Sequence, residues 1–77
     1  MKDVKKTLEY ILQGIIPESD QVSIEENQMG DITVFEISSP EEVTGKIIGK
    51  EGKIIKSIRT ILNLSYPQQR FLLKIKD

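Results

Sequence analysis

The chain has 77 residues, with 11 lysines and arginines against 12 acids and a formal net charge of −1 at pH 7. This length suits one small domain, and we assign residues 1–77 to it. The absence of cysteine and histidine excludes disulfides and zinc–thiolate sites and removes the commonest general base. No apolar run is long enough to span a membrane or to resemble a signal peptide, so we expect a cytoplasmic protein.

The first predicted element is an amphipathic helix over residues 2–15. Its apolar residues recur at helical spacing, and they are Val4, Leu8, Ile11, Leu12 and Ile15. Gly14 and Pro17 indicate its end, because glycine closes helices and proline cannot continue them.

Two strands and a tight turn are predicted next. Val22 and Ile24 alternate with polar residues, and Met29-Gly30-Asp31 is a turn signal before a second β-rich segment over residues 32–38. That second segment has apolar residues in both phases. It therefore indicates either a central strand with both faces partly covered or a bulge.

Two helices and a last strand complete the predicted order. Ser39, Pro40 and Glu42 resemble a helix start with a capping box, and Gly49 limits that helix to a few turns. A second helix is predicted over residues 53–64, with a broad apolar face, and a half-buried strand over residues 70–76. The order αββααβ indicates an α+β fold with a three-stranded mixed sheet, because the hairpin runs antiparallel and the α–α crossover joins parallel strands.

Residues 47–58 are the most informative stretch, because two glycines enclose Lys50 and Glu51 between apolar helical segments. Neither glycine has a Cβ that would block the close approach of a nucleic-acid backbone. The N-terminus of the second helix offers free N–H groups to phosphates at the same point. The charges agree with this location. Residues 1–39 hold three lysines against eight acids, whereas residues 40–77 hold eight lysines and arginines against four acids. A helix–turn–helix with a solvated basic face remains the alternative from these residues alone.

This stretch resembles the signature of the KH domain, Val/Ile-Ile-Gly-x-x-Gly-x-x-Ile-x-x-Ile. The matching residues are Ile47, Ile48, Gly49, Gly52, Ile55 and Ile58. Because the extra helix and strand precede the β-α-α-β core, the resemblance points to the type II arrangement, with the helices packed on one face of the sheet. The segment from Pro40 to Gly52 and the segment Ser57-Ile58-Arg59-Thr60-Ile61-Leu62 are also similar to the small bacterial KhpA family of RNA-binding proteins. Thr44, which stands as an insertion, and Ile54, where a polar residue is more usual, depart from that family's pattern.

The resemblance implies binding of about four unpaired nucleotides of RNA in a narrow cleft, and a role as a small RNA chaperone or post-transcriptional regulator. The RNA-binding residues that it implies are Gly45, Lys46, Ile47, Ile48, Gly49, Lys50, Glu51, Gly52, Lys53, Ile54, Lys56 and Arg59. No catalytic residue, metal, cofactor, small-molecule substrate or membrane is expected. The resemblance also implies a homodimer or a heterodimer with a second KH-containing RNA-binding protein. The alternatives are a KH-fold protein-interaction module with weak or no RNA binding, and a KH domain of a larger RNA-binding protein.

Overall fold

A computed structural model describes residues 3–76 as three helices and three strands. In chain order these are α1 Val4–Ile15, β1 Ser23–Met29, β2 Ile32–Ser38, α2 Glu41–Ile48, α3 Lys53–Ser65 and β3 Phe71–Ile75. Short 3₁₀ turns at Ser19–Gln21 and Lys50–Gly52 lie between α1 and β1 and between α2 and α3. The predicted order αββααβ is confirmed. The predicted beginning of the first helix at residue 2 lies outside the described residues.

The sheet is mixed, as predicted, with β2 in the centre. The β1–β2 hairpin is antiparallel and pairs one residue with one residue from Ser23↔Ser38 to Met29↔Ile32. Gly30 makes the turn between them with φ of 64°. Strand β3 runs parallel to β2, from Thr33↔Phe71 to Ile37↔Ile75. Of the two explanations for the apolar residues of β2, the regular register supports a central strand without a bulge.

One core forms where all three helices pack on the same face of this sheet. Its buried residues are Val4, Leu8, Leu12, Ile16, Phe35, Ile37, Val43, Ile47, Ile58 and Leu62. The ring of Phe71 meets that of Phe35 edge-on, with centroids 6.2 Å apart. Val34 points to the opposite face of the sheet, which is not covered by a helix, and there it lies in register with the exposed Leu72.

Two details of the predicted helices are wrong. Ser39 and Glu42 do not form a capping box, because Pro40 is the N-cap of α2 and the Ser39 hydroxyl is hydrogen-bonded to the Thr44 hydroxyl at 2.7 Å. Helix α3 buries a narrower face than its apolar residues suggest. Ile58 and Leu62 are in the core, whereas Ile54 and Ile61 are exposed.

The burial pattern predicts a large difference between two leucines. Leu62 has no exposed surface, whereas Leu72 is 56% exposed on the open face of the sheet. Leu62→Ala should lower the free energy of unfolding by about 2–5 kcal/mol, because it leaves a cavity in the core. Leu72→Ala removes the same atoms from the surface and should cost less than about 1 kcal/mol. Equilibrium unfolding in urea measures both, and equal losses would contradict the assignment of the core.

Candidate nucleic-acid interface

The turn between α2 and α3 is built from backbone conformations that favour glycine. Gly49 ends α2 with φ of 76° and ψ of 177°, and Gly52 precedes α3 with φ of 73° and ψ of 16°. Glu51 lies between them at φ of 58° and is the only non-glycine residue with positive φ among the described residues. This conformation costs an ordinary residue about 1 kcal/mol. The tight turn therefore keeps Lys50 and Glu51 exposed between the ends of the two helices.

The two glycines of the turn have different reasons to be glycine. A Cβ on Gly49 would lie 2.6 Å from Cγ1 of Ile54, so this glycine makes room for a side chain of its own protein. At Gly52 the nearest atom to an added Cβ is Cε of Lys56, at 3.9 Å. Both glycines are predicted from the sequence to admit a nucleic-acid backbone. The structure leaves that space open at Gly52 and fills it with Ile54 at Gly49.

The N-terminus of α3 is directed at this open space. Gly52 is its N-cap, and no side chain of the described residues caps its first turn. The N–H of Lys53 donates to the carbonyl oxygen of Lys50 in the preceding 3₁₀ turn. The next N–H groups of the first turn have no earlier carbonyl within α3 to donate to, and the positive end of the helix dipole lies at the same point. Lys50, Lys53 and Lys56 are exposed around it. Arg59 is also exposed, but it lies about 9 Å further along the helix axis than Lys53.

Lys46, by contrast, already has an anionic partner. Its Nζ lies 2.6 Å from Oε2 of Glu18, in the segment after α1. The hydrogen bond from the Lys46 ammonium holds the pKa of the Glu18 carboxyl below its ordinary value. The second oxygen of Glu18 is buried without a hydrogen-bond partner among the described atoms. Lys46 therefore joins α2 to the segment that follows α1.

The opposite side of α2 borders a groove. Residues two apart on a helix lie about 200° apart, so Thr44 and Ile48 face away from the direction of Lys46. Beside the start of α2 is a groove of about 330 Å³, lined by Ser39, Glu41, Thr44 and Lys76. Glu41, Thr44, Gly45 and Ile48 share one face of the helix, and an added Cβ on Gly45 would meet nothing within 4 Å. This face leads from the groove to the turn at Gly49.

Two adjacent isoleucines of the predicted site have separate positions. Ile47 has no exposed surface and packs in the core, so its side chain is not accessible to a ligand. Ile48 is half-buried beside Gly49. The structure thus brings together Gly45, Ile48, Lys50, Glu51, Gly52, Lys53, Ile54 and Lys56 around the turn, and places Lys46, Ile47 and Arg59 apart from them.

Sequence reasoning missed the polar lining of the groove. The spacing of Glu41, Thr44, Gly45 and Ile48 could have indicated a common helix face. No local pattern could have placed Lys76 or Glu18, since each reaches α2 from a distant part of the chain. A larger cavity of about 420 Å³ lies between the start of α1 and β1–β2, and its lining includes none of the residues of the turn.

These features define a type II KH domain, with a Gly-x-x-Gly turn between two helices on one face of a mixed sheet. Residues 5–76 match the model of the KH domain of KhpA and KhpB. The chain belongs to this KhpA/KhpB KH-domain family.

Curated relatives agree with this assignment. The RNA-binding protein KhpA of Chlamydia pneumoniae is 41% identical over 59 residues, which cover 77% of this chain and 76% of the relative. KhpA of Thermotoga maritima is 38% identical over 60 residues, covering 78% and 80%. KhpA of Treponema pallidum is 27% identical over 75 residues, covering 95% and 94%. No solved structure matches the chain.

Two structural features bear on other functions. Within residues 3–76 no helix is long and apolar enough to cross a membrane. The same residues contain no group of three or more acidic side chains that could hold a metal ion.

The different surroundings of three glycines predict an ordered series of alanine variants. Gly45→Ala should raise the free energy of unfolding by about 0.5–1 kcal/mol, because Gly45 is in an exposed helix with free space around it. Gly52→Ala should lower it by about 1 kcal/mol through its positive φ. Gly49→Ala should lower it by a further 1–3 kcal/mol or so, because its Cβ displaces Ile54. Urea denaturation of the three variants checks this order, and equal effects at Gly49 and Gly52 would contradict the packing role of Ile54.

Proposed function

We propose that the protein binds short segments of single-stranded RNA at the turn between α2 and α3, as a small RNA chaperone or post-transcriptional regulator. The observation that carries this proposal is the uncapped N-terminus of α3 next to the open backbone at Gly52. Phosphate groups bind readily at such a helix end, because its N–H groups and dipole attract anions. Lys50, Lys53 and Lys56 add positive side chains around the same point.

The groove side of α2 suits an unpaired strand. Ile48 and Ile54 provide aliphatic surface next to the turn, and Gly45 leaves space for a strand to lie close to the helix. The four aromatic residues, Tyr10, Phe35, Tyr66 and Phe71, all lie outside residues 40–65. Bases would therefore contact aliphatic side chains here, unlike the aromatic stacking of other single-strand binders. The names of the KhpA relatives describe those proteins as RNA-binding.

A KH-fold protein-interaction module is the competing function, and Glu51 is the residue that favours it. Its carboxylate stands in the turn itself and opposes phosphate binding. The three exposed lysines and the positive end of the α3 dipole outweigh this one carboxylate. This balance of charge favours RNA binding. A place for the same domain within a larger RNA-binding protein is compatible with the same interface.

Two lysines provide a matched test of the RNA-binding face. Lys50→Gln should weaken binding of single-stranded RNA about three- to tenfold and reduce the slope of log K against log[salt] by about 0.7, because one phosphate contact is lost. Lys46→Gln removes the same charge, but Lys46 is paired with Glu18 on the other side of α2. Its salt slope should equal that of the wild type. Fluorescence anisotropy over a range of salt concentrations measures both.

The same titration contains the outcomes that would contradict the proposal. A duplex of the same sequence should bind more weakly than the single strand, because unpaired bases are needed in the groove. Undetectable RNA binding by the wild type would favour the protein-interaction module. Equal slope changes in the two lysine variants would show that the phosphates do not follow the groove side of α2.

We further propose that the protein forms a homodimer through α3. Ser57, Ile61 and Leu64 follow one another along one side of this helix, and we call them the α3 stripe. Ile61 is 46% exposed and Leu64 is 77% exposed. A second copy could cover the same stripe through a two-fold axis, since such an interface is self-complementary. Two linked sites would raise the affinity for RNA through effective concentration.

Charged substitutions on opposite faces of the domain test this arrangement. Leu64→Glu places a carboxylate in the α3 stripe and should convert a dimer into the 8.8 kDa monomer. Leu72→Glu changes a leucine that is 56% exposed on the uncovered face of the sheet, and it should leave the dimer intact. Sedimentation equilibrium at micromolar concentration distinguishes these species. A monomeric wild type would contradict the homodimer, and a pull-down with a second KH protein would then test the heterodimer.

A further inference from the structure

The groove at the start of α2 contains a carboxylate that a general phosphate-binding surface would not need. Glu41 lines the groove together with Ser39, Thr44 and Lys76. Glu42, its neighbour in the first turn of α2, is also exposed but does not line the groove. Both acids suit the N-terminal end of a helix, so the helix dipole does not explain why one of them faces the groove.

The hydrogen bonds of the groove leave two side chains available to a ligand. The hydroxyls of Ser39 and Thr44 are hydrogen-bonded to each other at 2.7 Å. The Thr44 hydroxyl also donates to the carbonyl oxygens of Ser39 and Pro40. Glu41 and Lys76 make no salt bridge or side-chain hydrogen bond with any residue of the described range. The groove therefore offers one strong acceptor and one strong donor, and neither has a side-chain partner within residues 3–76.

A carboxylate repels phosphate but accepts hydrogen bonds from amino groups. Among the groups of a nucleobase, an exocyclic amino group is a donor that Glu recognises directly, as in its pairing with N4 of cytosine. Lys76 lines the same groove, and a lysine ammonium suits a ring nitrogen or carbonyl acceptor of the same base. We infer that Glu41 and Lys76 form a base-reading subsite for a nucleobase that carries an exocyclic amino group.

The position of this subsite fits a strand held at the turn. Helix α2 has eight residues, so the groove at its start lies about 12 Å from the turn at its end. A strand anchored by phosphate near Gly52 can follow Gly45 and Ile48 and place a base further along in the groove. This inference rests on the proposed RNA-binding function and adds a preference among bases to it.

Cytidine and uridine homopolymers of equal length provide the sharpest comparison. At the edge that Glu41 would read, cytosine presents an amino donor and uracil presents a carbonyl acceptor. We expect the wild-type protein to bind oligocytidine about five- to tenfold more tightly than oligouridine at the same salt concentration. Glu41→Ala should reduce this ratio to about one, largely by improving the binding of oligouridine, because it removes both the acceptor and a repelling charge.

Glu42→Ala is the matched control, because it removes the same charge from the same turn of α2. It should keep the preference for cytidine, and any increase in binding should be equal for the two homopolymers. A second pair of variants tests Lys76. Lys76→Gln should weaken the binding of oligocytidine several-fold. Lys74→Gln removes a lysine from the uncovered face of the sheet and should not weaken this binding.

The outcomes separate this inference from the function on which it rests. If the wild type binds both homopolymers equally, or if Glu41→Ala keeps the preference, the subsite is wrong while RNA binding stands. If Glu41→Ala and Glu42→Ala lose the preference together, it does not arise in the groove, and the subsite is again wrong. If no variant binds either homopolymer, the proposed function fails as well.

Discussion

The close packing of Ile54 on Gly49 is the contact on which the candidate site depends. Because Ile54 occupies the place of a Cβ at residue 49, the chain can leave α2 and enter α3 within the three residues of the Lys50–Gly52 turn. This short reversal requires positive φ at Gly49, Glu51 and Gly52. It leaves the first turn of α3 uncapped by any described side chain and directed to the outside.

Helix α2 shows how a two-turn helix can serve three purposes. Its inner side places Val43 and Ile47 in the core. On one flank Lys46 reaches Glu18, and on the other Thr44 and Ile48 border the groove and the turn. Each purpose needs a different direction, and successive residues of a helix differ in direction by about 100°. Neighbouring residues of the glycine-rich motif therefore have unrelated roles, although they appear together in the sequence.

The charges of the chain act through their positions and not through their sum. The formal net charge is −1, yet the exposed lysines around the turn form a local positive region in which Glu51 is the one acid. The pairing of Lys46 with Glu18 removes one cation from this region. A few free cations are consistent with weak binding by one domain, because each phosphate contact contributes separately to affinity. Because each single site binds weakly, self-association through the α3 stripe would raise the affinity for RNA by linking two sites.

The order of the elements, the mixed sheet and the position of the turn could be predicted from the residues alone, because these follow from local periodicity, from glycine and from rules of connection. The contacts of individual side chains became known only from the folded structure. It put Ser39 against Thr44 in place of a capping box, and Lys46 against Glu18, 28 residues away in the chain. It also packed Ile54 against Gly49 and formed a groove next to Lys76. Such contacts join segments far apart in the chain or depend on the path of the backbone in the folded state, which no local spacing records.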